Sequence, residues 1–413
     1  MNPDTTESTR TPDDGASQPL PGDRGEVDAQ RRVRGSATSI SPITPSSTLK
    51  GLSPYSPPAQ THTIDLRLDA NEGPAPSRPV LDAIAAVTPE TIRRYPDASL
   101  LESKVASRLN TDPSRVLVTN GGDDAIDRAC RAVLEPGRTA VLHTPTFEMI
   151  PRGVRLAGAT PIEIPWRTEG FPKQAILDAI EACQRDTGHP PAMIALVTPN
   201  NPTGCVIPLR KILAIAEAAP TALILVDLAY VEFADEDPTS SLLGRPNVMM
   251  VRTFSKALGL AGLRVGYAVA PGPIVTLLRT TGGPYPVSPI SLAAASAALD
   301  NDDHLAEIVN RVRTERTELT TLLARFGARP MPSQANFVTA DFSSIPVSCA
   351  TAVPAVPPAE LIRLALAARG IAVRGWPTRP DLAGLLRITM PANEPDFARL
   401  TTALNQILGG TNE

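Results

Sequence analysis

The middle of the chain alternates short apolar segments of strand length with longer segments of helical spacing. The apolar segments are Val116–Thr119, Ala140–His143, Ile194–Thr198, Leu223–Val226 and Val248–Arg252. Helical spacing lies between them at Asp124–Leu134 and Leu209–Ala218. Continuous apolar strands that alternate with helices are typical of a mostly parallel sheet covered on both faces. We therefore predict an α/β large domain over residues 75–285, with its site beyond the carboxyl ends of the strands.

Beyond about residue 286 the pattern changes to that of a smaller α+β domain. Helical spacing occurs at Ser288–Leu299, Leu305–Phe326, Ala359–Arg369 and Pro395–Leu408, and strand patterns occur at Asn336–Phe342 and Leu385–Met390. We predict a small C-terminal domain over residues 286–413, with a contribution from an N-terminal arm over residues 51–74. The Ser-, Ala- and Pro-rich segment Ser343–Pro358 is predicted to be an inserted surface loop.

Residues 1–50 are rich in Pro, Ser, Thr, Asp and Gly, and no aromatic residue precedes Tyr55. Such a segment buries too little apolar surface to offset its ordering entropy, so we predict a disordered tail. Its acidic residues and its lack of an apolar core argue against a secretory or organellar leader. No apolar run approaches the ~18 residues of a membrane span.

Charge and cysteine content narrow the classes of function. The 413 residues carry a net charge of −4, which argues against bulk binding to nucleic acid or to an anionic membrane. Four cysteines and four histidines are scattered along the chain without metal-ligand spacing. We therefore predict no metal, and buried free thiols in the cytoplasm.

The segment TFSKALGLAGLRVGY, from Thr253 to Tyr267, places Lys256 directly after hydroxyl residues and eight residues before Arg264. A lysine amine becomes a nucleophile only where the site lowers its pKa. Ser255 and Arg264 offer hydroxyl and guanidinium donors for a phosphate. A lysine beside a phosphate clamp suggests pyridoxal phosphate held as a Schiff base. The alternative is a Gly-rich turn with a solvated lysine, and the segment alone does not decide between the two.

Three weaker motifs follow predicted strands. Residues 120–124 (NGGDD) open a helix whose first N–H groups suit a phosphate, or they are an ordinary capped loop. TPNNPTG holds Asn201 between prolines as a rigid donor for the pyridoxal O3′ oxygen, or it is a Pro/Gly turn. Asp227 ends a buried strand, where a carboxylate is costly unless it meets a cation such as a protonated pyridine nitrogen. Tyr230 would donate to the same O3′ oxygen; the alternative for Asp227 is a structural cap.

Together these motifs resemble the class I/II aminotransferases, which are pyridoxal-phosphate-dependent enzymes of fold type I, and most of all the histidinol-phosphate aminotransferase family. The resemblance covers roughly Leu52 to Leu408. It is carried by LSPYSP, LDANEGP, RYPDAS, NGGDDAI, PTF, TPNNPTG, VDLAY, TFSKALGLAGLRVGY, GPYPVS, QANFV, GIAVRGW and LLRITM.

The resemblance implies a role for each motif residue. Lys256 carries the cofactor, Asp227 pairs with its pyridine nitrogen, and Tyr230 contacts O3′. The other implied cofactor contacts are Gly122, Asp123, Phe147, Asn201, Ser255, Arg264 and Tyr95. Tyr95 is expected to reach the phosphate of the other subunit, which implies a homodimer. The implied substrate-binding residues are Tyr55, Asn71, Tyr285, Arg374 and Arg387.

The implied reaction is transamination between histidinol phosphate and 2-oxoglutarate in histidine biosynthesis. One site must then bind a phosphoester and a carboxylate, and arginine serves both. Three alternatives stay open: an aromatic amino acid aminotransferase, a threonine-phosphate decarboxylase, and a catalytically silent binding module. Phe147, Leu228 and Asp69 depart from the family's usual tyrosine, glutamate and asparagine. These departures bear on the substrate and remove no catalytic group.

Overall fold

The computed structural model of the protein describes residues 43–54, 62–166, 170–345 and 356–409. Residues Ser47–Glu413 form one compact unit, and residues 43–46 are the described part of the unit that precedes it. Residues 1–42 of the predicted tail, Tyr55, and most of the predicted loop at 343–358 lie outside the described residues. A 3-10 helix at Ser47–Leu49 lies within the segment predicted to be a disordered tail.

The described residues contain twelve strands and thirteen α-helices. The strands are β1 (Leu66–Leu68), β2 (Val116–Thr119), β3 (Thr139–Thr144), β4 (Thr160–Pro165), β5 (Met193–Val197), β6 (Leu223–Asp227), β7 (Val248–Thr253), β8 (Gly266–Val269), β9 (Arg329–Pro330), β10 (Phe337–Asp341), β11 (Ile371–Gly375) and β12 (Leu385–Thr389). The helices are α1 (Arg78–Ala85), α2 (Pro89–Ile92), α3 (Ser99–Arg108), α4 (Gly121–Val133), α5 (Met149–Leu156), α6 (Lys173–Thr187), α7 (Leu209–Ala218), α8 (Thr239–Leu242), α9 (Gly272–Thr281), α10 (Pro289–Leu299), α11 (Asp302–Arg325), α12 (Pro358–Ala367) and α13 (Glu394–Gly409).

The larger sheet has seven strands in the order β2-β8-β7-β6-β5-β3-β4. Strand β8 runs antiparallel to both β2 and β7, and every other pair of neighbours is parallel, so the predicted mostly parallel sheet is confirmed. Neighbouring residues of β5 belong to different apolar cores: Ile194 packs in one and Ala195 in the other. Because both faces are covered, such strands are apolar throughout, which is why the pattern revealed them. The edge strand β4 is only partly buried and was missed for that reason.

The smaller sheet has the order β1-β11-β12-β10-β9. Its first strand, β1, comes from the N-terminal side of the chain and pairs in parallel with β11. Helices α11, α12 and α13 cover the sheet through buried side chains such as Leu323, Ile362 and Leu400. The sequence pattern did not reveal β1, which has three residues with the exposed Arg67 at its centre.

The register of the larger sheet brings several strand ends to one edge. At the carboxyl ends of β5, β6 and β7, Val197 lies opposite Asp227, which lies opposite Val251. Thr253 at the end of β7 lies opposite Gly266, and Gly266 lies opposite Thr119 at the end of β2. The motifs that follow these strands therefore meet at the same edge, as expected for parallel sheets of this kind.

Candidate active site

Lys256 lies in the turn between β7 and β8. The turn is closed by the Phe254 N–H, which donates to the Val265 carbonyl at 3.1 Å. The Nζ atom of Lys256 donates to the Ala70 carbonyl at 3.3 Å and lies 5.7 Å from the centroid of the Tyr230 ring. Burial of the amine, assisted by the positive charge of Arg387, lowers the pKa of Lys256 to about 8. A half-buried amine with a lowered pKa fits a nucleophile better than a solvated lysine.

Asp227 ends β6 with only 4% of its surface exposed. Its Oδ1 atom accepts a hydrogen bond from the Ala229 N–H at 3.0 Å, and no ion pair within the described residues includes it. Burial raises the pKa of Asp227 to about 6, with a further increase from the charge of Asp123. A buried carboxylate without a cation fits a protonated pyridine nitrogen, which would supply the missing charge.

The hydroxyl group of Tyr230 is held by Asn71. The Nδ2 atom of Asn71 donates to the Tyr230 oxygen at 3.0 Å, while its Oδ1 atom accepts from the Thr389 hydroxyl at 3.0 Å. Burial raises the pKa of Tyr230 to about 12, so the phenol keeps its proton at neutral pH. Since its oxygen already accepts from Asn71, Tyr230 has its own hydrogen to donate, as an O3′ contact requires.

The NGGDD motif begins helix α4 at Gly121, and the side chain of the preceding Asn120 does not cap the helix. The N–H groups of the first turn therefore favour an anion. Arg264 lies across this turn and donates to the Asp123 carboxylate at 3.0 Å. Gly121 has a φ of +76°, and a Cβ atom there would lie 2.8 Å from the Arg264 guanidinium. Glycine is thus needed at this position for both its backbone conformation and its small size.

Ser255 and Gly122 complete this anion-binding side. Ser255 is buried, and its Oγ atom accepts a hydrogen bond from the Thr253 hydroxyl at 2.9 Å. A Cβ atom on Gly122 would lie 3.4 Å from Val251, so the first turn of α4 packs closely on β7. The donors predicted to hold the cofactor phosphate therefore come from neighbouring strand ends and fit a phosphate group.

Arg387 points from β12 of the smaller sheet toward the TPNNPTG turn. Its guanidinium donates to the Asn201 Oδ1 atom at 2.5 Å and to the Asp69 carbonyl at 2.7 Å. Only 7% of Arg387 is exposed. Because the amide oxygen of Asn201 already accepts a hydrogen bond from Arg387, the amide nitrogen of Asn201 is the group that can donate to a ligand.

Arg374 lies directly opposite Arg387 in the register of β11 and β12. The guanidinium carbons of Arg374 and Arg387 lie 5.8 and 5.9 Å from the centroid of the Trp376 ring. Within the described residues Arg374 has no hydrogen bond or ion pair from its side chain. Like charges directly opposite each other are destabilising, so an anion bound here would be favoured.

The remaining predicted site residues lie at the periphery. Tyr95 and Tyr285 stack with ring centroids 4.6 Å apart, and they are 81% and 55% exposed. No hydrogen bond or ring contact in the described part of the chain joins this pair to Lys256 or Asp227. Phe147 is half-buried against the core around α4 and α5.

Sequence reasoning missed several residues that shape the site. Asn336 donates to the Asn71 carbonyl at 3.3 Å, Thr389 accepts from the Asn71 N–H at 3.2 Å, and Trp376 packs against both arginines. A signal for Thr389 was present, because residues two apart on a strand share a face and Arg387 was already assigned. Trp376 and Asn336 lie in the GIAVRGW and QANFV motifs, but their place in the site depends on contacts between distant segments.

Cys130, Cys183 and Cys205 are free and buried. Within the described ranges no cluster of three or more His, Cys, Asp or Glu side chains is arranged to hold a metal ion. No helix in these ranges is long and apolar enough to cross a membrane.

Residues 63–405 match the family model described as aminotransferase class I and II. The chain is 34% identical over 369 residues to a histidinol-phosphate aminotransferase of Roseiflexus castenholzii, covering 85% of this chain and 95% of that protein. It is 37% identical over 298 residues to an aromatic amino acid aminotransferase of Mycobacterium sp. (strain KMS), covering 68% and 80%.

Among solved structures, the chain is similar to histidinol-phosphate aminotransferase from Sinorhizobium meliloti in complex with pyridoxal-5′-phosphate. The TM-score is 0.73 at 28% sequence identity, with 84% of this chain and 92% of that chain covered. These matches confirm the family resemblance and the fold predicted from the sequence motifs. The chain therefore belongs to the class I and II aminotransferases and is a pyridoxal-phosphate-dependent transaminase.

Proposed function

We propose that this transaminase transfers the amino group of histidinol phosphate to 2-oxoglutarate, as a step in histidine biosynthesis. The observation that carries this proposal is the pair of arginines on the smaller sheet. Arg387 is held by Asn201 and the Asp69 carbonyl, whereas Arg374 lies opposite it without an anionic partner among the described residues. A substrate with a phosphate and a co-substrate with carboxylates would use both cations.

The residues around Lys256 have the properties that amino-group transfer requires. Pyridoxal phosphate, when bound, supplies an electron sink for the charge that develops at the substrate Cα atom. Lys256, largely neutral above pH 8, takes the proton from this Cα atom as a general base. Asp227 would hold the pyridine nitrogen in its cationic state, and Tyr230, positioned by Asn71, would donate to the ring oxygen.

The phosphate end of the cofactor is assigned to the edge formed by Gly122, Asp123, Ser255 and Arg264. Backbone N–H groups at the start of α4 and the Arg264 guanidinium would anchor it. Phe147 would pack on the ring but brings no hydroxyl group, unlike the tyrosine usual in the family.

An aromatic amino acid is the second candidate amino donor. It is supported by the 37% identity to the mycobacterial aromatic amino acid aminotransferase. Such a donor needs one arginine for its carboxylate and an apolar pocket for its ring, so it leaves Arg374 without a role.

The test is a panel of amino donors with the purified holoenzyme, read by conversion of the cofactor to its pyridoxamine form. We expect fast conversion with histidinol phosphate and glutamate, and slow conversion with phenylalanine and tyrosine. Conversion with phenylalanine or tyrosine but not with histidinol phosphate would replace the proposal with the aromatic alternative. Release of carbon dioxide from threonine phosphate would instead assign a decarboxylase.

A cytoplasmic homodimer is also proposed. The helices α1, α2 and α3 all pack on α10 and present the exposed apolar side chains Leu81, Ile92 and Leu100, and the loop between α2 and α3 adds the exposed Tyr95. Such a surface suits a second copy, which would bring Tyr95 to the partner's cofactor phosphate. The free, buried thiols are consistent with a reducing compartment.

A further inference from the structure

A cavity of about 440 Å³ lies beside Arg374. Its walls are helix α5, residues of β3 and β4, and the chain segment Leu52–Pro54. Four arginines from three elements line it: Arg152 and Arg155 from α5, Arg374 from β11, and Arg379 from the loop that follows β11. Four guanidinium groups, including that of the predicted substrate arginine Arg374, therefore face this cavity.

Two of these arginines are neutralised by carboxylates. Arg155 pairs with Glu163 at 2.8 Å, and Arg379 pairs with Asp381 at 2.6 Å. Glu148 also lines the cavity, is exposed, and acts through its charge on Arg379. Arg155 and Arg379 therefore add little net positive charge to the cavity.

The other two arginines lack such compensation. Arg152 donates from Nη1 to the Ser53 carbonyl at 2.7 Å. This hydrogen bond satisfies one N–H donor but does not neutralise the positive charge of Arg152. The Arg374 guanidinium carbon lies 5.8 Å from the centroid of the Trp376 ring, which carries no charge to neutralise it. Neither forms an ion pair within the described part of the chain. The cavity thus holds two uncompensated guanidinium groups on two separate walls.

Building on the proposed function, we propose that Arg152 is a specificity-determining residue that binds the substrate phosphate together with Arg374. A phosphate monoester carries nearly two negative charges at neutral pH and offers three acceptor oxygens, so two guanidinium groups match it. A single carboxylate needs only one, which Arg387 supplies. Arg152 therefore favours phosphorylated over unphosphorylated amino donors.

The kinetic test compares Arg152→Gln with Arg155→Gln in the holoenzyme. Arg155 lies on the same helix and lines the same cavity, but Glu163 already neutralises it. We expect Arg152→Gln to raise the KM for histidinol phosphate about 10- to 100-fold, as for loss of a charged hydrogen bond. The kcat and the half-reaction with glutamate should change by less than about threefold. An unchanged KM, or an equal rise in both variants, overturns the inference.

A second measurement does not depend on turnover of histidinol phosphate. Phenylglyoxal modification of the wild-type holoenzyme, mapped by mass spectrometry, should be slowed at Arg152 by inorganic phosphate and not at Arg155. Equal modification rates with and without phosphate overturn the inference. Protection of Arg152 in an enzyme that does not convert histidinol phosphate would refute the proposed function but support the anion site.

Discussion

At the scale of single residues, two groups in the cleft have pKa values shifted in opposite senses by the same cause. Burial disfavours the charged form of each group. It lowers the pKa of Lys256 to about 8 and raises that of Asp227 to about 6. The Lys256 amine can therefore lose its proton near pH 8 and act as a nucleophile. The buried Asp227 carboxylate can stabilise a cation beside it. Each shift leads to a measurable expectation.

The first expectation concerns Asp227→Asn. The folded-state pKa of about 6 exceeds the ordinary value of 3.8, so the folded chain binds this proton more tightly than the unfolded chain. The cost of ionising Asp227 therefore grows as pH rises from about 4 to 6, and it is fully present above pH 6. In the cofactor-free protein, Asp227→Asn should raise the free energy of unfolding by up to about 3 kcal/mol at pH 8 and by almost nothing at pH 4.

Urea denaturation at the two pH values measures this difference. The same variant should lose about 100-fold or more in transamination rate when loaded with cofactor, because the pyridine nitrogen loses its counter-charge. A variant that is less stable at pH 8 and fully active would show that Asp227 is a structural cap.

The second expectation concerns the amine of Lys256. In the cofactor-free protein, its labelling by trinitrobenzenesulfonate should increase with a midpoint near pH 8, whereas ordinary lysines follow a midpoint near 10.4. Mass spectrometry that resolves individual lysines distinguishes the labelling of Lys256 from that of the ordinary lysines. Arg387→Met should move the midpoint of Lys256 upward, because the Arg387 charge is the second cause of the shift. A midpoint above pH 10 in the wild-type chain would contradict the burial argument.

At the scale of elements, the turn between β2 and α4 depends on one glycine. Gly121→Ala places a Cβ atom at a φ of +76° and 2.8 Å from the Arg264 guanidinium. Gly137→Ala is a matched control, since its φ is +90° and no atom lies within 4 Å of the added group. Both variants should lose about 1–3 kcal/mol of stability from backbone strain.

Only Gly121→Ala should also weaken cofactor binding, by about tenfold or more, because Arg264 must move away from the phosphate position. Equilibrium dialysis against pyridoxal phosphate, followed by absorbance, measures the affinity. Equal affinity in the two variants would mean that the position of Arg264 does not matter for the cofactor.

The sequence predicted those elements that a single local pattern describes. Strands such as β5 and β6 are buried on both faces and therefore appear as apolar runs, whereas β4 at the edge and the short β1 have no such run. Side chains that follow the central strands were assigned to the site because parallel strand ends share an edge. The contact between Asn71 and Thr389 joins positions 318 residues apart, and local patterns carry no information about it.

At the scale of the whole molecule, the exposed apolar side chains on α1 to α3 lead to a prediction about assembly. Leu100 is 82% exposed. Leu100→Asp should convert the proposed dimer to a monomer, because a buried charge at a subunit interface is costly. Sedimentation velocity measures the mass of the particle. Thr321→Asp is the control and should leave the mass unchanged. Thr321 is exposed on helix α11, which packs on the smaller sheet. A monomeric wild-type enzyme would refute the proposed dimer.

The parallel pairing of β1 with β11 has a consequence for how the gene can be rearranged. A fragment that begins near residue 286 would encode β9 to β12 but not the strand that covers the edge of β11. Its uncovered edge would invite association with other chains. Recombination between related genes would therefore have to retain a strand at Leu66–Leu68 that can pair with Ile371–Val373.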